Sequence, residues 1–173
     1  MRAFAPGGMM VDMVDRVRLR PLTAADDTLL ATATLENLNW AAPRFTVADV
    51  LESPEFAKYT QLSLSRGDFG VVAEADGRAV GVAWALALSA RDAGYGFVDD
   101  RTPEFSLWVH RTHRDRGIGR RLTAGLLAEA TLRTCRVSLS VEAGNSRARH
   151  LYESLGFTAV PDRTADGVML WQP

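Results

Sequence analysis

The stretch from Phe105 to Leu132 constrains this chain more than any other. Phe105-Ser106-Leu107-Trp108-Val109 is an apolar run of strand length, and Leu122, Leu126, Leu127 and Ala130 recur at helical spacing. Between them lies His113-Arg114-Asp115-Arg116-Gly117-Ile118-Gly119-Arg120-Arg121, a basic turn that carries glycines. A strand that feeds such a turn and opens a helix leaves the first helical N–H groups without intrahelical partners, at the positive end of the macrodipole. Glycine lets a ligand approach the backbone closely. Arg114, Arg116, Arg120 and Arg121 add positive charge. Together these features make a site for phosphate groups.

The remaining chain supplies a sheet and helices around that turn. Residues 16–20 alternate charged and apolar side chains and predict a strand ended by Pro21. Thr23 with Asp26 resembles a capping box and predicts a helix to about Asn39. Shorter helices are expected over 47–52 and 55–64, with Phe56 and Tyr59 on one face of the second, either in the core or in a pocket wall. Strands at 69–74 and 79–89 flank Asp76-Gly77, a tight-hairpin signal, and Gly81 marks a bulge or a close approach. Residues 91–103 read as an acidic, aromatic loop. Val137, Leu139 and Val141 alternate with serines in a strand over 136–141. Ala148, Leu151, Tyr152 and Leu155 line a helix that Gly156 stops. A strand at 157–160, a polar loop at 161–167 and a strand at 168–171 complete the chain. A hairpin followed by strands that alternate with helices indicates a mixed α/β sheet in one domain.

At 173 residues the chain suits one such domain, taken as 16–173, with residues 1–15 expected as a flexible extension. A net charge of -1 argues against a nucleic-acid partner. No apolar run reaches membrane-spanning length, so no membrane partner is expected. Cys135 is the single cysteine, which excludes an intrachain disulfide and fits a cytoplasmic setting. It reads as a packing residue. No ligand spacing suggests a metal.

Among phosphate loops, the Lys-Ser/Thr ending of a P-loop is absent, and the third glycine of a dinucleotide fingerprint is replaced by Leu122. What remains is Arg-x-x-Gly-x-Gly at Arg114, Gly117 and Gly119. Trp108 to Leu122 resembles the acetyl-CoA motif of the GNAT superfamily of N-acetyltransferases. Asn145-Ser146-Arg147-Ala148-Arg149-His150-Leu151-Tyr152-Glu153-Ser154-Leu155-Gly156-Phe157 is similar to that family's Asn-x-x-Ala-x-x-Leu-Tyr-x-x-x-Gly-Phe segment. Arg111 departs from the family, where many members have proline.

The resemblance implies a mostly antiparallel central sheet, with parallel strands 105–109 and 137–141 splayed apart and helices on its faces. It implies acetyl-CoA as co-substrate. Its pyrophosphate would sit on the N–H groups of Arg116, Gly117, Ile118, Gly119, Arg120 and Arg121, beside Arg114. Its pantetheine arm would pair with Leu107, Trp108 and Val109, and Asn145 would contact it. Tyr152 is placed like the family's general acid, a phenol able to protonate the leaving thiolate. Glu104 is the first choice for the base that deprotonates an ammonium acceptor. Asp99, Asp100, His110 and no dedicated base are the alternatives, whereas His110 and His113 flank the phosphate turn and read as surface residues. The implied reaction is direct acetyl transfer to a primary amine of a small molecule or peptide in a ternary complex. A non-catalytic acyl-CoA sensor on the same fold is the alternative. Dimers are common in proteins of this resemblance, so a homodimer is compatible with it.

Overall fold

A seven-stranded sheet organises the computed structural model, which describes residues 17–173. The extension expected over residues 1–15 lies outside the described residues. The strands are β1 (Arg18–Pro21), β2 (Phe69–Ala75), β3 (Arg78–Leu86), β4 (Glu104–Val109), β5 (Val137–Ser140), β6 (Thr158–Ala159) and β7 (Val168–Trp171), in the spatial order β1-β2-β3-β4-β5-β7-β6. Every neighbouring pair is antiparallel except β4 and β5. This is the mixed, mostly antiparallel sheet anticipated above.

The β2–β3 hairpin turns at Asp76 and Gly77, with φ of +50° and +73°, the positive values that a tight hairpin loop demands. Ala73 pairs with Gly81 while Glu74 pairs with Ala79, so Val80 is an extra residue beside Gly81. A side chain at Gly81 would also meet Leu122 Cδ1 at 2.8 Å and Trp108 O at 3.0 Å. The glycine therefore lets helix α4 (Ile118–Leu132) lie directly on the sheet.

Alternation along β3 and β4 sends side chains into two cores. On one face Ala83, Ala85 and Phe105 pack with Leu122 and Leu126 of α4 and with Tyr152 of α5 (Ser146–Glu153). On the other, Val82, Trp84, Leu86 and Trp108 pack with Leu30 and Ala33 of α1 (Asp27–Leu38) and with Tyr59. Cys135 is half-buried against the first core with a free thiol, and burial pushes its pKa up.

Some expected bounds differ. Thr23 opens a 3-10 turn, Ala24–Asp26, before α1 begins. After α2 (Val47–Glu52), the helix expected over 55–64 is only α3 (Pro54–Ala57) and a 3-10 turn, Lys58–Thr60. Thr60 Oγ1 donates to Ala57 O at 2.9 Å, and Asp68 holds the Ser63 N–H at 2.8 Å, so local side chains take over backbone groups a longer helix would use. The loop expected over 161–167 is a 3-10 stretch, Pro161–Asp166, closed by Gly167 at φ +69°. Among the described residues no helix is long and apolar enough to cross a membrane.

Candidate active site

The two parallel strands meet at a single register position, Glu104 opposite Ser138, where Ser138 N–H donates to Pro103 O at 3.0 Å. Beyond it they separate. On its other edge β4 pairs with β3 through even-numbered residues, as in His110 N–H to Val80 O at 2.9 Å. Odd-numbered residues therefore turn their backbone groups into the gap. There Leu107 O accepts from Asn37 Nδ2 at 3.1 Å and Val109 O from Arg114 Nε at 3.0 Å. A cleft of about 1320 Å³ occupies this gap.

One end of the cleft is the basic turn. Asp115 and Gly117 have φ of +64° and +73°, and Gly117 is the N-cap of α4. Arg121 N–H bonds to Gly117 O at 3.0 Å, so the N–H groups of Ile118, Gly119 and Arg120 are the ones left without an intrahelical acceptor. Gly119 has room for a side chain: a Cβ there would lie 3.6 Å from Leu107 and Leu151 methyls, ordinary contact, and its φ is not positive. Neither packing nor backbone geometry requires glycine at this position. Arg114, Gly117, Ile118, Gly119 and Arg120 line the cleft, but Arg116 and Arg121 do not. Arg121 is placed differently from the expectation. Its guanidinium reaches across to Val17 O at 2.9 Å, because its place on α4 faces the first strand. Arg120 donates to Ser154 Oγ at 2.7 Å, and Arg147 pairs with Asp115 across the turn.

Tyr152 and Glu104 approach the gap from opposite faces of the sheet. Phe157 N–H bonds Tyr152 O and Gly156 N–H bonds Glu153 O, with Gly156 at φ +93°, which is the Schellman ending that the Gly156-Phe157 pair signals. This stop folds Phe157 back onto Tyr152, with ring centroids 5.6 Å apart, while Phe105 packs edge-on at 5.7 Å. Burial pushes the Tyr152 pKa well up, so the phenol keeps its proton. Asn145 caps α5, its Oδ1 accepting from Ala148 N–H at 3.2 Å, and also lines the cleft.

Glu104 pairs with Leu86 and so faces the α1 side, whereas Phe105 next to it faces Tyr152. The gap is thus the passage between these faces. Glu104 is buried, and burial raises its pKa; the Gly96 N–H and the Tyr59 hydroxyl, then Lys58 and Arg163, work against that rise. Glu104 Oε1 accepts from Tyr59 Oη at 2.8 Å, and Oε2 has no hydrogen-bond partner among the described residues. The competing carboxylates are engaged elsewhere. Asp99 bonds Thr102 and Arg136, and Asp100 caps Ala90 N–H at 2.8 Å; neither lines the cleft. His110 also lies outside the lining, whereas His113 is part of it. Burial, with Arg116 and His110 nearby, pushes its pKa down.

Several cleft residues carried no signal in the sequence. Glu36 Oε2 accepts from Trp108 Nε1 at 2.8 Å, and Trp40 and Arg44 bond Glu142 on the far side of the gap. These partners come from separate parts of the chain. Of Phe56 and Tyr59, the aromatic face expected in the core or in a pocket wall, Tyr59 lines the cleft and Phe56 does not.

A split sheet with a helix N-terminus at its gap defines an α/β architecture with a cleft suited to an anionic ligand. The acetyltransferase (GNAT) family profile matches residues 29–157. Saccharomyces cerevisiae N-alpha-acetyltransferase 40 is 39% identical over 69 residues, which cover 35% of this chain and 24% of that protein. The match thus spans about a quarter of that relative's length. Salmonella typhimurium yncA, solved with its cofactor acetyl-CoA, is 21% identical with a TM-score of 0.64, covering 90% of this chain and 93% of that one. PaiA N-acetyltransferase of Thermoplasma acidophilum, solved with coenzyme A, is 18% identical with a TM-score of 0.64, covering 91% and 99%. The chain belongs to the acetyltransferase (GNAT) family, a family of acyltransferases.

Proposed function

We propose that the chain moves an acetyl group from acetyl-CoA to a primary amine of a small molecule or peptide, by direct attack in a ternary complex. One observation carries this reading: the gap between β4 and β5 joins a helix N-terminus and a buried phenol on one side to a buried carboxylate on the other. Acetyl-CoA supplies the activated thioester. The free N–H groups of Ile118, Gly119 and Arg120 hold its pyrophosphate, with the side chains of Arg114 and Arg120 adding charge. Leu107 and Val109 offer backbone groups to its pantetheine arm, since a carbonyl that accepts one hydrogen bond retains a second lone pair. Asn145 lies along the same path.

The acceptor amine comes from the α1 face. Glu104 takes a proton from it, directly or through water, and the freed nitrogen pair attacks the acetyl carbonyl. The carbon–sulfur bond breaks, and Tyr152 Oη gives its proton to the leaving sulfur. The attacking nitrogen sheds its second proton as the amide forms, which restores the Tyr152 phenol, and the products are the amide and coenzyme A. The acetyltransferase domain is taken as residues 16–173, acting in the cytoplasm, where the lone thiol of Cys135 stays reduced.

Isothermal titration with acetyl-CoA, followed by a thiol-release screen across alkylamines, amino acids, aminoglycosides and peptides, tests the proposal. Saturable binding and thiol release with at least one amine are expected. No binding would remove the donor assignment, and binding without release from any amine would remove the transferase reading.

A further inference from the structure

The proposed base sits at the end of a hydrogen-bond chain with a fixed direction. Tyr95 N–H donates to Tyr59 Oη at 3.0 Å, and Tyr59 Oη lies 2.8 Å from Glu104 Oε1. An amide N–H can only donate, so the Tyr59 oxygen is the acceptor there and its own hydrogen is directed to Glu104. A proton on the Oε1 lone pair that accepts this bond would meet the hydroxyl hydrogen head-on. Oε1 is therefore the less basic oxygen, and Oε2, buried and without a hydrogen-bond partner among the described residues, is the one that takes the proton more readily.

Gly94 keeps Oε2 clear. A Cβ at this position would lie 2.1 Å from Glu104 Oε2 and 2.3 Å from Tyr59 Oη, and the φ of Gly94 is not positive. Glycine is needed here for space, not for backbone conformation. The loop that carries it is pinned from both ends: Lys58 Nζ donates to Ala93 O at 2.9 Å, and Arg163 to Phe97 O at 3.0 Å. Gly96 rests against β5, where a Cβ would come within 2.6 Å of the Leu139 backbone. The groups facing the carboxyl are therefore Tyr59 and Lys58 after α3, Tyr95 and the Gly96 N–H from the loop, and Arg163 from the stretch after β6.

We infer that Tyr59 is a positioning residue that directs proton uptake to Glu104 Oε2, with Gly94 holding that oxygen open. The inference rests on the reading of Glu104 as the base. In the step, an acceptor N–H bond breaks, its electron pair stays on nitrogen, and an O–H bond forms on Oε2, leaving a neutral carboxyl.

Carbon-13 NMR of the full chain labelled at glutamate side chains tests this without an acceptor. The Glu104 signal is assigned by its loss in Glu104→Gln and titrated in wild type and Tyr59→Phe. Phenylalanine keeps the ring and removes the hydrogen bond that favours the carboxylate. The midpoint should rise by about one pH unit, the shift expected for one hydrogen bond to a charged group. The acidic limb of kcat should move with it. Gly94→Ala should lower kcat about tenfold or more while leaving acetyl-CoA affinity unchanged, because displacing the carboxyl misplaces the base. An unmoved midpoint in Tyr59→Phe, or full turnover in Gly94→Ala, overturns the inference; if Tyr59→Phe does not fold, the Gly94→Ala result decides. Full turnover of Glu104→Gln near neutral pH removes the base assignment itself, whatever the NMR midpoints do. An inactive Glu104→Gln beside an unmoved Tyr59→Phe removes only the positioning role.

Discussion

Gly119→Ala separates what the turn does for folding from what it does for the donor. The residue is the second of α4, and a Cβ there would meet only the methyls of Leu107 and Leu151 at 3.6 Å and Val109 Cγ2 at 3.8 Å. Nothing must move to admit it. Alanine in a helix is favoured over glycine by up to about 1 kcal/mol. For a chain of this size that corresponds to a melting temperature higher by about 2–4 °C. Binding should change in the opposite direction. A helical Cβ tilts toward the helix N-terminus, here toward the N–H groups assigned to the pyrophosphate. Loss of one hydrogen bond to a charged group removes about 1.5–3 kcal/mol, so acetyl-CoA should bind about 10- to 100-fold more weakly. Differential scanning calorimetry and isothermal titration measure the two effects on one sample. Gly167→Ala is the control of opposite sign: at φ +69°, with Val141 O 2.0 Å from the added Cβ, it should destabilise by more than about 1 kcal/mol. Unchanged acetyl-CoA affinity in Gly119→Ala would refute the pyrophosphate assignment, and a lower melting temperature would refute the packing argument.

Tyr152→Phe retains the ring packed against Phe105 and Phe157 and removes the proton donor. Turnover should fall about 10²-fold or more with acetyl-CoA affinity retained; steady-state kinetics with unchanged turnover would end the general-acid role. Glu104 gives a pH signature in stability. Its folded pKa is raised by burial, so the folded chain binds the proton more tightly than the unfolded one. That contribution is complete below the ordinary carboxylate range and is lost as pH rises through the raised folded value. Thermal melts should therefore show Glu104→Gln gaining on wild type as pH increases; a constant difference across the series would contradict the buried-carboxylate picture.

Much of the donor side was legible in the sequence because its signals are local. The basic turn, the hairpin at Asp76-Gly77 and the Gly156-Phe157 stop each depend on backbone conformations that a few adjacent residues dictate. The period of β4 likewise set which residues share a face, so the separation of Glu104 from Phe105 followed once the register was known. The segment after Pro54 was less legible, since the contest between a longer helix and the Thr60 and Asp68 side-chain bonds is decided by atoms that meet only after folding.

The same division holds at the active site. Residues 105–122 and 145–157 determined by themselves a strand, a glycine-opened helix start and a capped helix bearing Tyr152, because turn chemistry and periodicity act over a few residues. Only the tertiary structure decided that β4 and β5 part after Glu104 and Ser138, that Arg121 turns away to Val17, and that Tyr59, Gly94 and Glu104 converge. Those outcomes depend on contacts between residues far apart in the chain, as in the 45-residue separation of Tyr59 and Glu104. Sequence periodicity places a side chain on a face; only the packing of one element on another gives that face its neighbour.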